Sequence, residues 1–203
     1  MREEVYIMEL IHHRIEEFVR KSLEGNSIGA HTFDHTKRVY ALCIRMGRGL
    51  GADLKILGAA ALLHDVGRPQ EAATGVSHSI VSGDMSQHLL KDVGFNDEEI
   101  ERVTKAIRTH RFSEGLEPTS LEGEILSDAD KLDAIGAVGV FRAIAQAVTT
   151  GVGINGFFSH ADEKLLKLRD LMYTDEGKTI ADKRHKTLEE FASQLREELH
   201  LQS

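Results

Sequence analysis

A histidine and an aspartate, His64 and Asp65, follow directly on the apolar run 57–63. Such a run predicts a buried helix, and a buried imidazole next to a carboxylate is costly unless a partner satisfies both groups. The alternative is an ordinary helix end, in which His64 interacts favourably with the helix dipole and Asp65 begins a turn. The pair alone favours that structural interpretation, so its meaning depends on the rest of the chain.

Other imidazole and carboxylate groups stand at the ends of predicted helices. His35 is expected on the first turn of a helix, and Asp130 is one of several carboxylates directly before an Ala- and Gly-rich apolar segment. Carboxylates that lead into a buried helix are costly unless they are paired or bind a metal. Together with the His64-Asp65 pair they form a mixed nitrogen and oxygen set. That set suits Mn²⁺, Fe²⁺, Co²⁺, Ni²⁺ or Zn²⁺ better than a thiolate-seeking ion.

The order of these residues on a helical chain, H…HD…D, resembles the signature of the HD superfamily of metal-dependent phosphohydrolases. The flanking sequence is similar to a branch of small bacterial HD hydrolases that includes nucleoside triphosphate pyrophosphohydrolases, and the likeness covers nearly the whole chain. The segments that carry it are 31–39, 62–69, 128–134, 163–168 and 184–185. The resemblance implies a divalent transition metal and His64 with Asp65 as the catalytic pair. The implied metal ligands are His35, His64, Asp65 and Asp130.

Two further histidines extend the pattern to H…HD…H…H…D. His78 begins a predicted helix and His110 ends another. In some HD proteins, histidines at such positions bind a second metal, in which case Asp65 is the natural bridge between the two ions. The alternative is that both are structural groups near the site, because a lone histidine at a helix end is more often structural. The sequence leaves both interpretations open.

The resemblance implies in-line attack on phosphorus by a metal-activated water. We expect a small phosphorylated substrate, with a nucleotide as the favoured class and with its base and sugar unidentified. Glu71 is a candidate proton carrier. Positive charge for the phosphates is expected from four side chains, the last two of which rest on the resemblance alone: Arg68, Lys131, Lys164 and Arg184.

Two other functions are compatible with the sequence. A few relatives with the six-ligand set are di-iron oxygenases that act on small polar organic molecules, and His78 with His110 permits this function. A non-catalytic nucleotide-sensing module is the other alternative. The intact set of candidate ligands argues against it.

The composition restricts the partners and the location. The chain has 25 basic and 33 acidic residues, a net charge of −8, whereas proteins that bind duplex nucleic acid normally carry a basic surplus. No apolar run is long enough to cross a bilayer, and the N-terminus lacks the basic-then-apolar form of a signal peptide. The single cysteine, Cys43, cannot form an internal disulfide. We therefore expect a cytoplasmic protein that binds neither duplex nucleic acid nor membranes.

Helical periodicity runs through most of the chain, and strand-like alternation is absent. The sequence therefore predicts an all-α fold, a single-domain helical bundle over residues 1–203. The metal-site core is expected at about 31–135, with C-terminal helices at 157–201 packed on it. The amphipathic helices at both ends are candidates for homodimer contacts.

Local signals indicate where individual helices begin and end. Asp53 is expected to cap the helix that leads to His64, and Asn96 with Glu99 to form a capping box. Glycine and proline predict a loop at 67–75. The segment 134–148 is apolar nearly all round, which predicts a central buried helix.

Overall fold

The computed structural model describes residues 2–23, 32–111 and 115–200, with side chains from residue 6 onwards. In these ranges all regular structure is helical, which confirms the predicted all-α class. One 3₁₀ helix, Leu165–Leu171, accompanies the α-helices. The α-helices are α1 (Arg2–Ser22), α2 (Phe33–Leu50), α3 (Leu54–Leu63), α4 (Arg68–Thr74), α5 (His78–Asp92), α6 (Asp97–Thr109), α7 (Leu121–Asp133), α8 (Gly136–Thr149), α9 (Gly153–Glu163) and α10 (Asp175–His200).

The chain divides into two compact units, residues 1–129 and 130–203. The first contains α1 to α6 and most of α7, and the second contains the last turn of α7, α8 to α10 and the 3₁₀ helix. The single domain over 1–203 stays a prediction. Residue 31, the first of the expected metal-site core, lies outside the described residues.

Helix α3 is the core of the first unit. Every residue from Ile56 to Leu63 is buried, and the helix packs against α1, α2 and α6. Its N-terminus is capped by Asp53, whose carboxylate accepts hydrogen bonds from the backbone N–H groups of Lys55 and Ile56. The predicted cap is therefore confirmed, and it fixes where the helix starts and hence where it delivers its last residue.

Small residues in the middle of α3 allow α1 to approach closely. A Cβ atom on Gly58 would lie 2.2 Å from Cε1 of the His12 ring. His12 Nε2 donates to the Lys55 carbonyl (3.2 Å), and its Nδ1 accepts from the Tyr40 hydroxyl (3.0 Å). Both ring nitrogens are therefore used by the neutral imidazole, which ties α1, α2 and α3 together.

Two other predictions about local structure have different outcomes. The capping box is present, since the Asn96 side chain accepts from the Glu99 N–H and the Glu99 carboxylate accepts from the Asn96 N–H. The loop predicted at 67–75 is wrong, because α4 occupies most of it. Pro69 lies in the first turn, where a helix tolerates proline, and Gly75 closes the helix with φ 76°.

The expectation of a central buried helix at 134–148 is also wrong. A break with Gly136 at φ 76° separates α7 from α8. Helix α8 packs on α9 and α10 through one stripe that includes Ala143 and Ala147, while Phe141 is 73% exposed. The composition of an apolar helix does not predict which of its faces packs against another helix.

Within the described ranges, no single helix is both long and apolar enough to cross a membrane, and only α7 and α8 taken together reach that length and composition.

Two glycine substitutions test the close approach of α1 to α3. We expect Gly58→Ala to lower the free energy of unfolding by about 1–3 kcal/mol, because the new methyl group must displace the buried His12 ring. In the matched control Gly49→Ala, on the exposed face of α2, the methyl group meets no atom within 4 Å. That control is expected to raise the stability by about 0.5–1 kcal/mol. Urea unfolding measures the change in unfolding free energy of both variants. Changes of the same sign would contradict the close packing of α1 on α3.

The acid sensitivity of folding tests the environment of His12. Burial lowers the pKa of His12 below its ordinary value of 6.5. The stability that the neutral ring contributes is therefore complete above pH 6.5 and is lost as the pH falls below it, because the unfolded chain then binds the proton first. We expect His12→Gln to flatten the dependence of unfolding free energy on pH between about 7.5 and 5.5. The control is His13→Gln at the exposed neighbouring position, where the substitution removes no buried side chain.

Candidate metal centre

Helix α3 delivers His64 and Asp65 into the interior of the first unit. Both are buried, with 0% and 2% of their surface exposed. His64 directly follows the helix, and its Nδ1 donates a hydrogen bond to the Ala61 carbonyl (2.8 Å). The lone pair of the neutral ring is then on Nε2. This atom points at the other members of a buried cluster, which consists of His35, His64, Asp65, His78 and His110.

His35, on the first turn of α2, meets these two residues. Its Nε2 lies 3.3 Å from Nε2 of His64 and 3.6 Å from Oδ2 of Asp65. His64 Nε2 lies 3.7 Å from the same oxygen. Ligand atoms that surround a transition metal at about 2.1 Å stand about 3–3.5 Å from one another. The three atoms are therefore spaced as ligands of one ion.

His78 lies on the other side of Asp65, and the His110 ring lies between those of His64 and His78. His78 Nε2 is 3.2 Å from Oδ1 of Asp65, and the ligand atoms of His64, Asp65 and His110 all lie within 4.8 Å of one another. The rings of His35, His64, His110 and His78 form an edge-to-face series with neighbouring centroids 5.3, 5.2 and 5.4 Å apart. The two oxygens of Asp65 thus face different imidazoles, as in a carboxylate that bridges two ions.

Two nitrogen atoms of the cluster are buried without a hydrogen-bond partner in the described part of the chain: His78 Nε2 and His110 Nε2. A buried polar atom without a partner costs free energy, so it calls for an explanation. His110 Nδ1 is already engaged by the Ile107 carbonyl, and this bond leaves the lone pair on Nε2. A divalent cation fits both orphaned atoms, and HD domains bind such cations.

Burial keeps His78 neutral. It lowers the pKa of His78 to about 4, against the attraction of Asp65, and the positive charge of Arg68 acts in the same direction as burial. On the outer side of the ring, Nδ1 lies 3.0 Å from a carboxylate oxygen of Glu71. Glu71 accepts from Nδ1–H, so the lone pair is again on Nε2, on the side of Asp65.

Arg68 and Arg111 surround Glu71 with positive charge. Arg111 Nη1 donates to Glu71 Oε1 (2.9 Å), and Arg68 Nη1 lies 3.4 Å from Oε2. Burial raises the pKa of Glu71, but hydrogen bonds from His78 and the charge of Arg68 outweigh it, so the pKa is lowered. An ionised Glu71 is an anchor for its neighbours, which does not favour the expected proton-carrier role.

Sequence reasoning missed Arg111. It directly follows His110 in the chain, and an arginine next to a candidate ligand was the available signal. Arg68, which the sequence did select, donates from Nε to Oδ1 of Asp65 at 2.9 Å. Both guanidinium groups therefore lie at the cluster, on the side of His78.

The remaining predicted site residues belong to the second unit. Asp130 is half-buried on α7, one helical turn after Ser127, whose hydroxyl donates to the His110 carbonyl (2.8 Å). Lys131 is buried with its Nζ 4.5 Å from the centre of the Tyr173 ring, and Lys164 is exposed at the end of α9. Arg184 donates to the Leu132 carbonyl. The ligand role of Asp130 and the substrate contacts of the three basic residues stay predictions.

Comparisons with known proteins show the family of the chain. The sequence model of the HD domain family matches residues 32–135. YpgQ of Bacillus subtilis is 34% identical over 197 residues, which cover 92% of each chain. The crystal structure of YpgQ in complex with ADP matches with a TM-score of 0.78 and 31% identity, covering 95% of this chain and 96% of that one.

Two further crystal structures carry a functional description. A predicted HD superfamily hydrolase from an uncultured Thermotogales bacterium is 33% identical with a TM-score of 0.72, over 92% of each chain. An HD-superfamily hydrolase from Bacillus thuringiensis is 31% identical with a TM-score of 0.74, over 96% of this chain and 98% of that one. The family model covers half of the chain, including His35, His64, Asp65, His78, His110 and Asp130. This chain therefore belongs to the HD domain family, with the fold of its hydrolases.

Proposed function

We propose that the protein is a metal-dependent phosphohydrolase that splits a phosphoester or phosphoanhydride bond of a small phosphorylated molecule. A nucleotide is the favoured substrate class, which the complex of the similar protein YpgQ with ADP supports. The observation that carries the proposal is the position of Asp65, a buried carboxylate whose two oxygens face different imidazoles. This arrangement fits two cations that share one carboxylate.

The proposed ligands fall into two sets around Asp65. His35, His64 and Asp130 complete the first set, and His78 with His110 completes the second. The nitrogen and oxygen donors suit Mn²⁺, Fe²⁺, Co²⁺, Ni²⁺ or Zn²⁺. Such an ion supplies a water of lowered pKa and polarises a phosphoryl oxygen.

The protein's own side chains orient the site and balance its charge. His64 and His110 are fixed by Nδ1 bonds to backbone carbonyls, and Glu71 fixes His78 in the same way. Arg68 and Arg111 bring permanent positive charge to this side of an acidic protein, where phosphate oxygens need donors. We propose Lys131, next to Asp130 in the sequence, as a further substrate contact, and Lys164 and Arg184 on the resemblance alone.

A di-iron oxygenase is the second candidate. The specific observation in its favour is the set of four buried imidazoles around one carboxylate, which a single-ion phosphohydrolase does not need. Phosphohydrolysis is preferred because two guanidinium groups lie at the cluster, where they can bind phosphate oxygens.

The metal count tests the two sets of ligands. At saturating Mn²⁺, we expect the parent protein to bind two Mn²⁺ per chain and His110→Ala to bind one. Asp65→Asn should bind neither tightly, because the charge shared by both sets of ligands is lost. Equilibrium dialysis followed by elemental analysis measures the count. The control is His88→Ala, since this side chain is 89% exposed and pairs only with Asp92 among the described residues. Two ions retained by His110→Ala would show that His110 is not an essential ligand.

Turnover tests the reaction class. With Mn²⁺, Co²⁺ or Ni²⁺ and a panel of nucleotides, we expect release of phosphate or pyrophosphate. His64→Ala and Asp65→Ala should lower that rate at least about a hundredfold, since loss of a group that only orients a ligand already costs 10–100-fold. Circular dichroism checks that both variants fold, and His88→Ala again serves as the control.

Two results would overturn the proposal. Two bound irons with oxygen consumption and no phosphate release would identify the oxygenase. Tight nucleotide binding without turnover with all three metals would identify a nucleotide-sensing module.

A further inference from the structure

Arg68 and His78 contact the same oxygen atom of Asp65. Arg68 Nε donates to Oδ1 at 2.9 Å, and His78 Nε2 lies 3.2 Å from that oxygen. The other oxygen, Oδ2, faces His35 and His64 at 3.6 and 3.7 Å. The contact of Arg68 is therefore confined to the side of Asp65 on which the second cation is proposed.

The charge of Arg68 opposes a cation on that side. A guanidinium group stays protonated under all ordinary conditions. Repulsion between like charges is strong where little water screens it, and Asp65 is only 2% exposed. A cation held by Asp65 Oδ1 and His78 Nε2 shares its carboxylate oxygen with the guanidinium group. Arg68 therefore weakens divalent binding on the side of His78 more than on the side of His35.

A bound phosphate group reverses the effect of Arg68 on cation binding. Guanidinium donors match phosphate oxygens in a bidentate geometry. The side chains of Arg68 and Arg111 are 21% and 35% exposed, so an anion from solvent can reach both. Glu71 contacts the two guanidinium groups and so holds them near each other. A bound phosphate offers Arg68 a further acceptor besides Asp65 and Glu71, and its negative charge attracts a cation.

We propose that Arg68 makes the second cation dependent on bound phosphate. The inference rests on the two-cation site of the proposed function. Without phosphate, Arg68 neutralises Asp65 Oδ1 and the second ion binds weakly. With phosphate, Arg68 turns to the anion and the second ion binds tightly. Because the coupling is reciprocal, the second ion strengthens phosphate binding by the same factor.

Manganese titrations with and without inorganic phosphate test this coupling without using activity. Free Mn²⁺ is counted by electron paramagnetic resonance in the full-length protein, and a titration without protein corrects for Mn²⁺ bound by phosphate alone. In the parent protein we expect phosphate to tighten the second Mn²⁺ site about tenfold. The first site should change little.

Three variants separate the charge of Arg68 from its hydrogen bonds. In Arg68→Gln, we expect the second site to bind Mn²⁺ about tenfold more tightly without phosphate, and phosphate to have little further effect. Arg68→Lys keeps the charge, so it should resemble the parent. Arg102→Gln is the matched control, because Arg102 is an exposed arginine that pairs with Asp53 and Glu122.

The outcomes distinguish this inference from its premise. A tightened second site in Arg68→Gln supports the inference, since a merely structural loss would weaken binding. If parent and Arg68→Gln bind two ions equally, or if Arg68→Lys behaves like Arg68→Gln, the role of the Arg68 charge is overturned while the two-cation site stands. If the parent binds at most one Mn²⁺ with and without phosphate, the two-cation premise itself fails.

Discussion

An ionised carboxylate is stable inside a protein only when positive charge or hydrogen-bond donors surround it, and Asp65 is almost completely buried. The structure meets this requirement with a guanidinium group on Oδ1 and imidazoles near both oxygens. Neutral imidazoles that present lone pairs do not neutralise a carboxylate. The cluster is therefore a poor structural ion pair, and this is the physical basis for proposing it as a ligand set for cations.

The rest of the first unit holds the buried Asp65 carboxylate and its neighbouring imidazoles in place. Helix α3 has no charged residue from Ile56 to Leu63, so its burial is favourable. This free energy offsets the cost of placing His64 and Asp65 in the interior. Its start is fixed by the Asp53 cap, and Gly58 lets α1 pack directly on it. The histidines from other helices reach the cluster because those helices begin or end there. His35 and His78 lie at helix starts, and His110 follows a helix end.

The sequence predicts those features of the fold that local chemistry determines. Asp53 and the Asn96–Glu99 capping box act on backbone groups within three residues, so their types and spacing suffice. The loop predicted at 67–75 failed because Pro69 and Gly75 are as suitable for the two ends of a short helix as for a loop. The exposed face of α8 was also unpredictable, since burial depends on which helices pack against it.

In the candidate site, too, the sequence predicts some features and others depend on tertiary structure. The order H…HD…H…H…D identified the imidazoles that the first unit brings together, because the family pattern records which helix ends meet. It did not identify Arg111, whose partner Glu71 is 40 residues away in sequence. Contacts of that kind depend on tertiary structure. The sequence also could not show that Arg68 contacts Asp65 itself, although it placed Arg68 among the phosphate-binding candidates.

The distribution of charge bears on the proposed small anionic substrate. The chain carries a net charge of −8, so the positive charge that attracts an anion has to be local. Arg68 and Arg111 are exceptions because the cluster itself holds them, through Asp65 and Glu71. In the proposed site, each cation would add positive charge beside these two guanidinium groups and so strengthen the attraction for phosphate. Under that proposal, metal and anion favour each other's binding at this one place.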